Sequence, residues 1–123
     1  MDERSFEVRD EARSEAEGVA RADFAVHVPA GLCYFLGHFE GDPVLPAVAQ
    51  LNNLVLPLVH RAWPAMPPLR RATKLKFHKP IRPGDDLSLR LEHTRARAAV
   101  TFVIELGGGV ASAGTLHFGE ASP

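Results

Sequence analysis

The stretch GHFEGDPVLPAVAQLNN, residues 37–53, sets a lone histidine, His38, ahead of a proline-cornered apolar run. That run carries an amide, Asn52, fourteen residues after the histidine. A neutral imidazole, with a free-solution pKa of about 6.5, suits a base at neutral pH. Pro46 and Ala47 open the run, and backbone N–H groups at a helix N-terminus can receive charge that develops on an oxygen. The amide of Asn52 can donate a hydrogen bond or position a water, but it cannot supply a proton at any useful pH. Of the remaining polar groups nearby, Asp42 precedes Pro43 and reads as a turn former, and Gln50 reads as a helix residue bonding to the loop.

These groups must be positioned by the elements around them. Val48, Leu51, Val55 and Val59 recur at helical spacing, which places Asn52 on an inward stripe facing the interior or a tunnel. Pro57 lacks an N–H and its ring would press on the carbonyl of Asn53, so the helix is expected to kink there or stop near Leu56. Before the helix, Ala20, Ala22, Phe24, Val26 and Val28 alternate with polar residues as in a half-buried strand, and Pro29 and Gly31 end it. After it, WPAMPPL (63–69) reads as a loop. Four strands follow, over 69–79, 87–92, 100–106 and 110–118, with RPGDD (82–86) as a tight turn and glycines 107–109 as a hairpin. The expected order is strand, long loop, helix, then an antiparallel meander of four strands, an α+β layer architecture. Residues 1–17 mix both charges and read as a weakly tethered polar arm, 18–119 as the domain, and 120–123 as a tail.

At 123 residues, with 46% hydrophobic and 24% charged, the chain is of single-domain size and ordinary globular composition. A net charge of −1 gives no global field for nucleic acid or anionic lipid. The single cysteine, Cys33, cannot form an internal disulfide and reads as a small packed residue. No secretory leader or membrane-length apolar run is evident, so a cytoplasmic location is the default expectation. Histidines 27, 60, 78, 93 and 117 lack the close pairing of metal ligands, and no metal site is expected.

GHFEGDPVLPAVAQL resembles the signature of the hotdog-fold 3-hydroxyacyl-acyl-carrier-protein dehydratases, and KFHKPIRPGDDLSLRLE (76–92) resembles the same family's strand, turn and strand after the helix. LPAVAQL is similar to the branch linked to aryl-polyene and related pigment pathways. The resemblance implies a hotdog fold, one long central helix wrapped by a curled antiparallel sheet of about five strands. It implies that His38 is the catalytic base, that the Ala47 N–H binds the thioester carbonyl, and that Phe39 and Val48 bind substrate. The family's acidic partner stands fourteen residues after the histidine, where this chain has Asn52; Ala47 replaces a glycine, and Glu40 a proline.

The activity implied is elimination of water from a 3-hydroxyacyl thioester on an acyl carrier protein, by a homodimer and without a dissociable cofactor. Two alternatives stand beside it: a catalytically impaired acyl-binding subunit, paired with an active homologue that supplies the acid, and a hotdog acyl thioesterase. Lys74 and Lys76 alternate onto one strand face, with Lys79 and Arg82 at the turn. Such a basic patch suits contact with an acidic carrier protein.

Overall fold

Strict alternation in Val19–His27 buries Ala20, Ala22, Phe24 and Val26 on one side while Arg21, Asp23 and His27 face the other. This is strand β2 of the computed structural model, which describes residues 6–30, 44–94 and 96–119. The same two-residue period builds β4 (Asp86–Thr94), β5 (Ala99–Leu106) and β6 (Gly109–Phe118). Two more strands, β1 (Glu7–Ala16) and β3 (Leu69–Phe77), complete a six-stranded sheet in the order β1-β2-β4-β5-β6-β3. All five pairings are antiparallel.

One helix, α1, lies against this sheet. It runs over residues 47–62 as an α-helical turn Ala47–Ala49, a π-helical stretch Gln50–Val55 and an α-helical stretch Leu56–Ala62. The core lies between helix and sheet, where Leu54, Val55, Leu58 and Val59 meet Phe24, Leu89, Leu91, Phe102, Ile104 and Leu116. No helix among the described residues is long and apolar enough to cross a membrane.

Several expectations are corrected. The sheet has six strands rather than about five, because residues 7–16 of the expected polar arm form β1. Its side chains are mostly exposed, so alternation could not reveal it. Backbone pairing holds it in register from Glu7 opposite His27 to Ala16 opposite Val19. Glu17 and Gly18 close this hairpin, both at positive φ (52° and 79°), the geometry of a two-residue turn matched to the strand twist. The charges of β1 protect an edge that would otherwise invite a further strand.

The meander has three strands, not four. β3 does not pair with β4 across the RPGDD turn; it crosses to the far edge and pairs with β6. Nor do Lys74 and Lys76 simply alternate. Between Thr73 opposite Thr115 and Lys76 opposite Ala113, two residues of β3 face one of β6, a bulge in which Lys74 takes φ 54°.

Finally, α1 neither stops at Leu56 nor ends at Pro57. The widened π turn precedes the proline, and the chain continues helically to Ala62. The end of α1 is then held by β1. Arg13 donates from Nη1 to the Ala62 carbonyl (3.2 Å) and from Nη2 to the Arg61 carbonyl (3.0 Å), satisfying carbonyls that the helix leaves open. Glu11 bridges Arg13 (2.8 Å) and Arg61 (3.0 Å). The hydrogen bond from Arg13, opposed by desolvation and helped by the charge of Arg61, holds the Glu11 carboxyl below its usual range.

Gly114 sits opposite Phe102 in the sheet, beside the bulge of β3. A Cβ there would stand 2.6 Å from Leu75 Cδ2 and 2.7 Å from Phe102 Cε2. Gly114→Ala is therefore expected to lower stability by about 1–3 kcal/mol, the usual cost of overpacking a core, seen as a lower urea midpoint at unchanged slope.

Candidate functional site

The start of α1 is open. Pro46 is the N-cap with extended backbone and contributes no side-chain cap, and the first helical bond is Gln50 N–H to the Pro46 carbonyl, 3.0 Å. The N–H groups of Ala47, Val48 and Ala49 precede that bond and have no carbonyl within the helix to meet. Ala47 is exposed and Val48 is 68% exposed, so the positive end of the helix faces outward.

Asn52 is exposed as well, which overturns its expected inward placement. The reason is the π turn. Along α1 the buried pairs Ala49/Leu54 and Gln50/Val55 are five residues apart, whereas Leu54/Leu58, Val55/Val59 and Leu58/Ala62 are four apart. One extra residue in the turn rotates everything before it by about 100°, one residue's share of a helical turn. Val55 and Val59 stay in the core, but Val48 and Asn52 leave their stripe and Gln50 enters.

Buried Gln50 has both ends of its amide paired. Nε2 donates to the Leu45 carbonyl (3.1 Å), and Oε1 accepts from Ser112 Oγ (2.6 Å). Leu45 N–H in turn donates to the Ile81 carbonyl (2.7 Å). The entry to α1 is thus tied to β6 and to the segment after β3. The bond of Gln50 to the loop is the one expected. The role of Ser112 was missed, although a serine on the inward positions shared by Gly114, Leu116 and Phe118 was a readable signal.

The expected site residues divide. Ala47, Val48 and Asn52 share one outward face of α1. His38 and Phe39 lie outside the described residues, as do Cys33, Glu40 and Asp42. Of the expected carrier-protein contacts, Lys74 lines a groove of about 520 Å³ on the sheet face away from the helix, alongside Arg70, Thr73, Thr115 and His117. Thr73 Oγ1 and His117 Nε2 are bonded there at 2.9 Å. Lys76 is exposed on the same edge strand, Lys79 donates to the Leu106 carbonyl (3.3 Å), and exposed Arg82 begins the turn in which its N–H meets the Asp85 carboxylate at 2.7 Å. A second groove of similar volume lies by Trp63 and Met66 at the far end of α1. Neither groove includes Ala47, Val48 or Asn52. Among the described residues, no group of three or more His, Cys, Asp or Glu side chains could hold a metal ion.

A sequence model of the family described as ApeI-like, ApeI dehydratase, matches residues 12–115, which takes in β2, β3, β4 and β5 entirely, β1 and β6 in part, and the whole helix. The chain belongs to the ApeI dehydratase family. Similar curated proteins include the 3-hydroxyacyl-acyl-carrier-protein dehydratase FabZ of Myxococcus xanthus, 39% identical over 75 residues that make 54% of this chain and 49% of that protein. FabZ of Desulfotalea psychrophila is 30% identical over 82 residues, 60% of this chain and 55% of its own. The chain thus spans about half the length of the curated relatives it matches. Among solved structures, an uncharacterized protein from Erwinia carotovora subsp. atroseptica superposes with a TM-score of 0.83 at 25% identity, covering 91% of this chain and 94% of that one. The dehydratase heterocomplex ApeI:P of Xenorhabdus doucetiae gives 0.72 at 25% identity, covering 86% and 92%. The fold shared by this ApeI-family chain and those neighbours is the hotdog fold, one helix against an antiparallel sheet.

The Gln50–Ser112 bond generates a stability test. Ser112→Ala removes the donor and leaves a buried amide oxygen unpaired, which is expected to lower stability by about 1–3 kcal/mol. Ser112→Ala in a Gln50→Leu background should cost clearly less, because the stranded oxygen is then gone; denaturant unfolding of the four proteins of the cycle measures the difference.

Proposed function

We propose that this protein is a 3-hydroxyacyl-acyl-carrier-protein dehydratase of fatty-acid or polyene-type biosynthesis, converting a 3-hydroxyacyl thioester to a trans-2-enoyl thioester and water. The observation that carries the reading is the outward face of α1, which combines the N–H groups of Ala47 and Val48, without a carbonyl partner within the helix, with Asn52 one turn on, directly after the GHFEGDP motif. In this chemistry His38 takes the proton from the carbon beside the thioester carbonyl. The charge that develops on the carbonyl oxygen is met by the Ala47 N–H at the positive end of the helix. The hydroxyl on the next carbon leaves with the proton that His38 has taken, so that water is released and the imidazole is neutral again, and Asn52 orients the departing group. Phe39 and Val48 contact the acyl chain. No dissociable cofactor is required, since water leaves without any redox change. The phosphopantetheine arm arrives with the carrier protein, and the exposed cations of β3 and the following turn supply opposite charge for an acidic one.

The site face is uncovered in a single protomer. Val48 is 68% exposed, and Phe77 (42%) and Leu75 (38%) lie on the edge strand β3, whose outer side carries no further strand among the described residues. An apolar patch beside an open sheet edge suits a second chain. A homodimer with the acyl sites at its interface is the arrangement proposed, and light scattering at micromolar concentration is expected to give about twice 13.4 kDa. A mass near 13.4 kDa would sink it.

Asn52 also favours a second reading, an acyl-binding subunit that gains its acid from a homologue, and the ApeI:P structure is itself described as a heterocomplex. A thioesterase is disfavoured, because it too would want a carboxylate to activate water. Mass spectrometry of a 3-hydroxyacyl-carrier substrate separates the three as loss of water, no change, or loss of the acyl group. With the parent active, Asn52→Asp is expected to raise the rate about tenfold or more by adding the missing acid, part or all of the roughly 10²–10⁴ that such groups contribute, and His38→Ala to abolish the gain. A fast parent that Asn52→Asp slows without unfolding would show that asparagine is the working residue.

A further inference from the structure

Two irregularities of α1 meet at Asn52. In an α-helix the carbonyl of Asn52 would accept from the N–H of Leu56, but in the π-helical stretch that N–H is bonded to the carbonyl of Leu51. In a π turn the carbonyl would accept from residue 57 instead, and residue 57 is proline, which has no N–H. The next N–H, on Leu58, is six residues on, beyond the reach of a helical bond. The peptide carbonyl of Asn52 is therefore left without a helical donor in mid-helix, on an exposed residue. Its side-chain amide makes no hydrogen bond to a described residue either. On an exposed residue such an acceptor is open to water or to a donor on a ligand.

We propose that Pro57 and the π turn together keep the Asn52 peptide carbonyl free as an acceptor for the substrate's 3-hydroxyl, making it a residue that selects hydroxyacyl over plain acyl chains. This rests on the dehydratase reading of the face. The hydroxyl carries one donor hydrogen and two acceptor lone pairs. The carbonyl takes the hydrogen, which leaves the oxygen's lone pairs for the Asn52 amide or a water. A site built this way leaves its own polar group unpaired when a chain lacking the hydroxyl is bound, which is the physical basis of selecting for a hydroxyl. Pro57 is a positioning residue: it touches nothing that reacts and acts by withholding an N–H.

The test is calorimetric titration of the whole protein with two matched probes, the 3-hydroxyoctanoyl and octanoyl amides of pantetheine, whose amide bond replaces the reactive thioester. The parent is expected to bind the hydroxy probe about fivefold more tightly, the worth of one net hydrogen bond. Pro57→Ala restores an N–H that closes on the Asn52 carbonyl within the π turn, where residue 57 is its donor position, and should bring the ratio close to one. Pro57→Leu serves as a second variant should the first fold poorly. Asn52→Ala keeps the peptide carbonyl and should keep most of the preference. Equal affinity of the parent for both probes, or a preference intact in both Pro57 variants, overturns the proposal. If the parent still dehydrates a carrier-bound substrate while showing no preference, the dehydratase reading survives and only this inference falls; if it neither turns over substrate nor binds either probe, both fall.

Discussion

A five-residue step in a helix otherwise built on four decides how this molecule presents its site. Ala49 and Leu54, and Gln50 and Val55, reach the same sheet across the π turn, so the core accepts both halves of α1 only if one residue is absorbed between them. Such a turn gives up ideal hydrogen bonding for burial, and the burial is large: Leu54, Val55, Leu58 and Val59 are all at or below 6% exposure. The rotation has opposite effects on two neighbouring polar residues. Gln50 is carried inward, where a buried amide must find partners and does so in Ser112 and the Leu45 carbonyl. Asn52 is carried outward, where it needs none.

The helix so divided is held at both ends by parts of the sheet remote in sequence. At its start the anchor is β6, sixty-two residues from Gln50 to Ser112. At its finish the anchor is β1, through Arg13, forty-nine residues from Ala62. The start is fixed by neutral, buried hydrogen bonds, which are directional and insensitive to salt. The finish is fixed by an exposed guanidinium, a weaker and more screened contact. This division suits the proposed dehydratase, whose chemistry would lie at the N-terminal end of the helix, because the N–H groups of Ala47 and Val48 stay aimed only while Gln50 cannot slip.

Much of this was legible in the sequence, and the failures share a physical form. β2, β4, β5 and β6 each bury one face, so their alternation is written in residue type, and paired glycines with positive φ mark the β5–β6 hairpin. β1 is held by its backbone and by charges reaching over the helix end, so its side chains show no burial period. β3 looked like the partner of β4 because RPGDD is a good turn, yet turn chemistry says where the chain bends and not which edge it joins. In α1 the residue types were right and the phase was wrong. A single inserted residue leaves composition unchanged while moving Asn52 from the core to the surface, and only Pro57 hinted at an irregular helix. Ala47 was placed correctly at the opening of the helix. The histidine half of the site, with Phe39, lies outside the described residues.

The exposure of Asn52 also bears on why an amide stands where the dehydratase pattern has an acid. On the protomer alone, water solvates either group equally well, so the choice carries little stability cost. The difference arises once a second chain covers the face. A carboxylate taken from water into an interface loses hydration that costs several kcal/mol unless a cation or several donors replace it. An amide loses far less and is compensated by one or two ordinary hydrogen bonds. Along α1 itself the nearest charged residue in sequence is Arg61, which is committed to Glu11 at the opposite end. In the proposed dimeric dehydratase, asparagine would therefore ease closure of the interface and withhold a proton from the reaction, favouring assembly where an aspartate would favour catalysis. That balance shifts toward the acid only if the covering chain brings its own donors to this face.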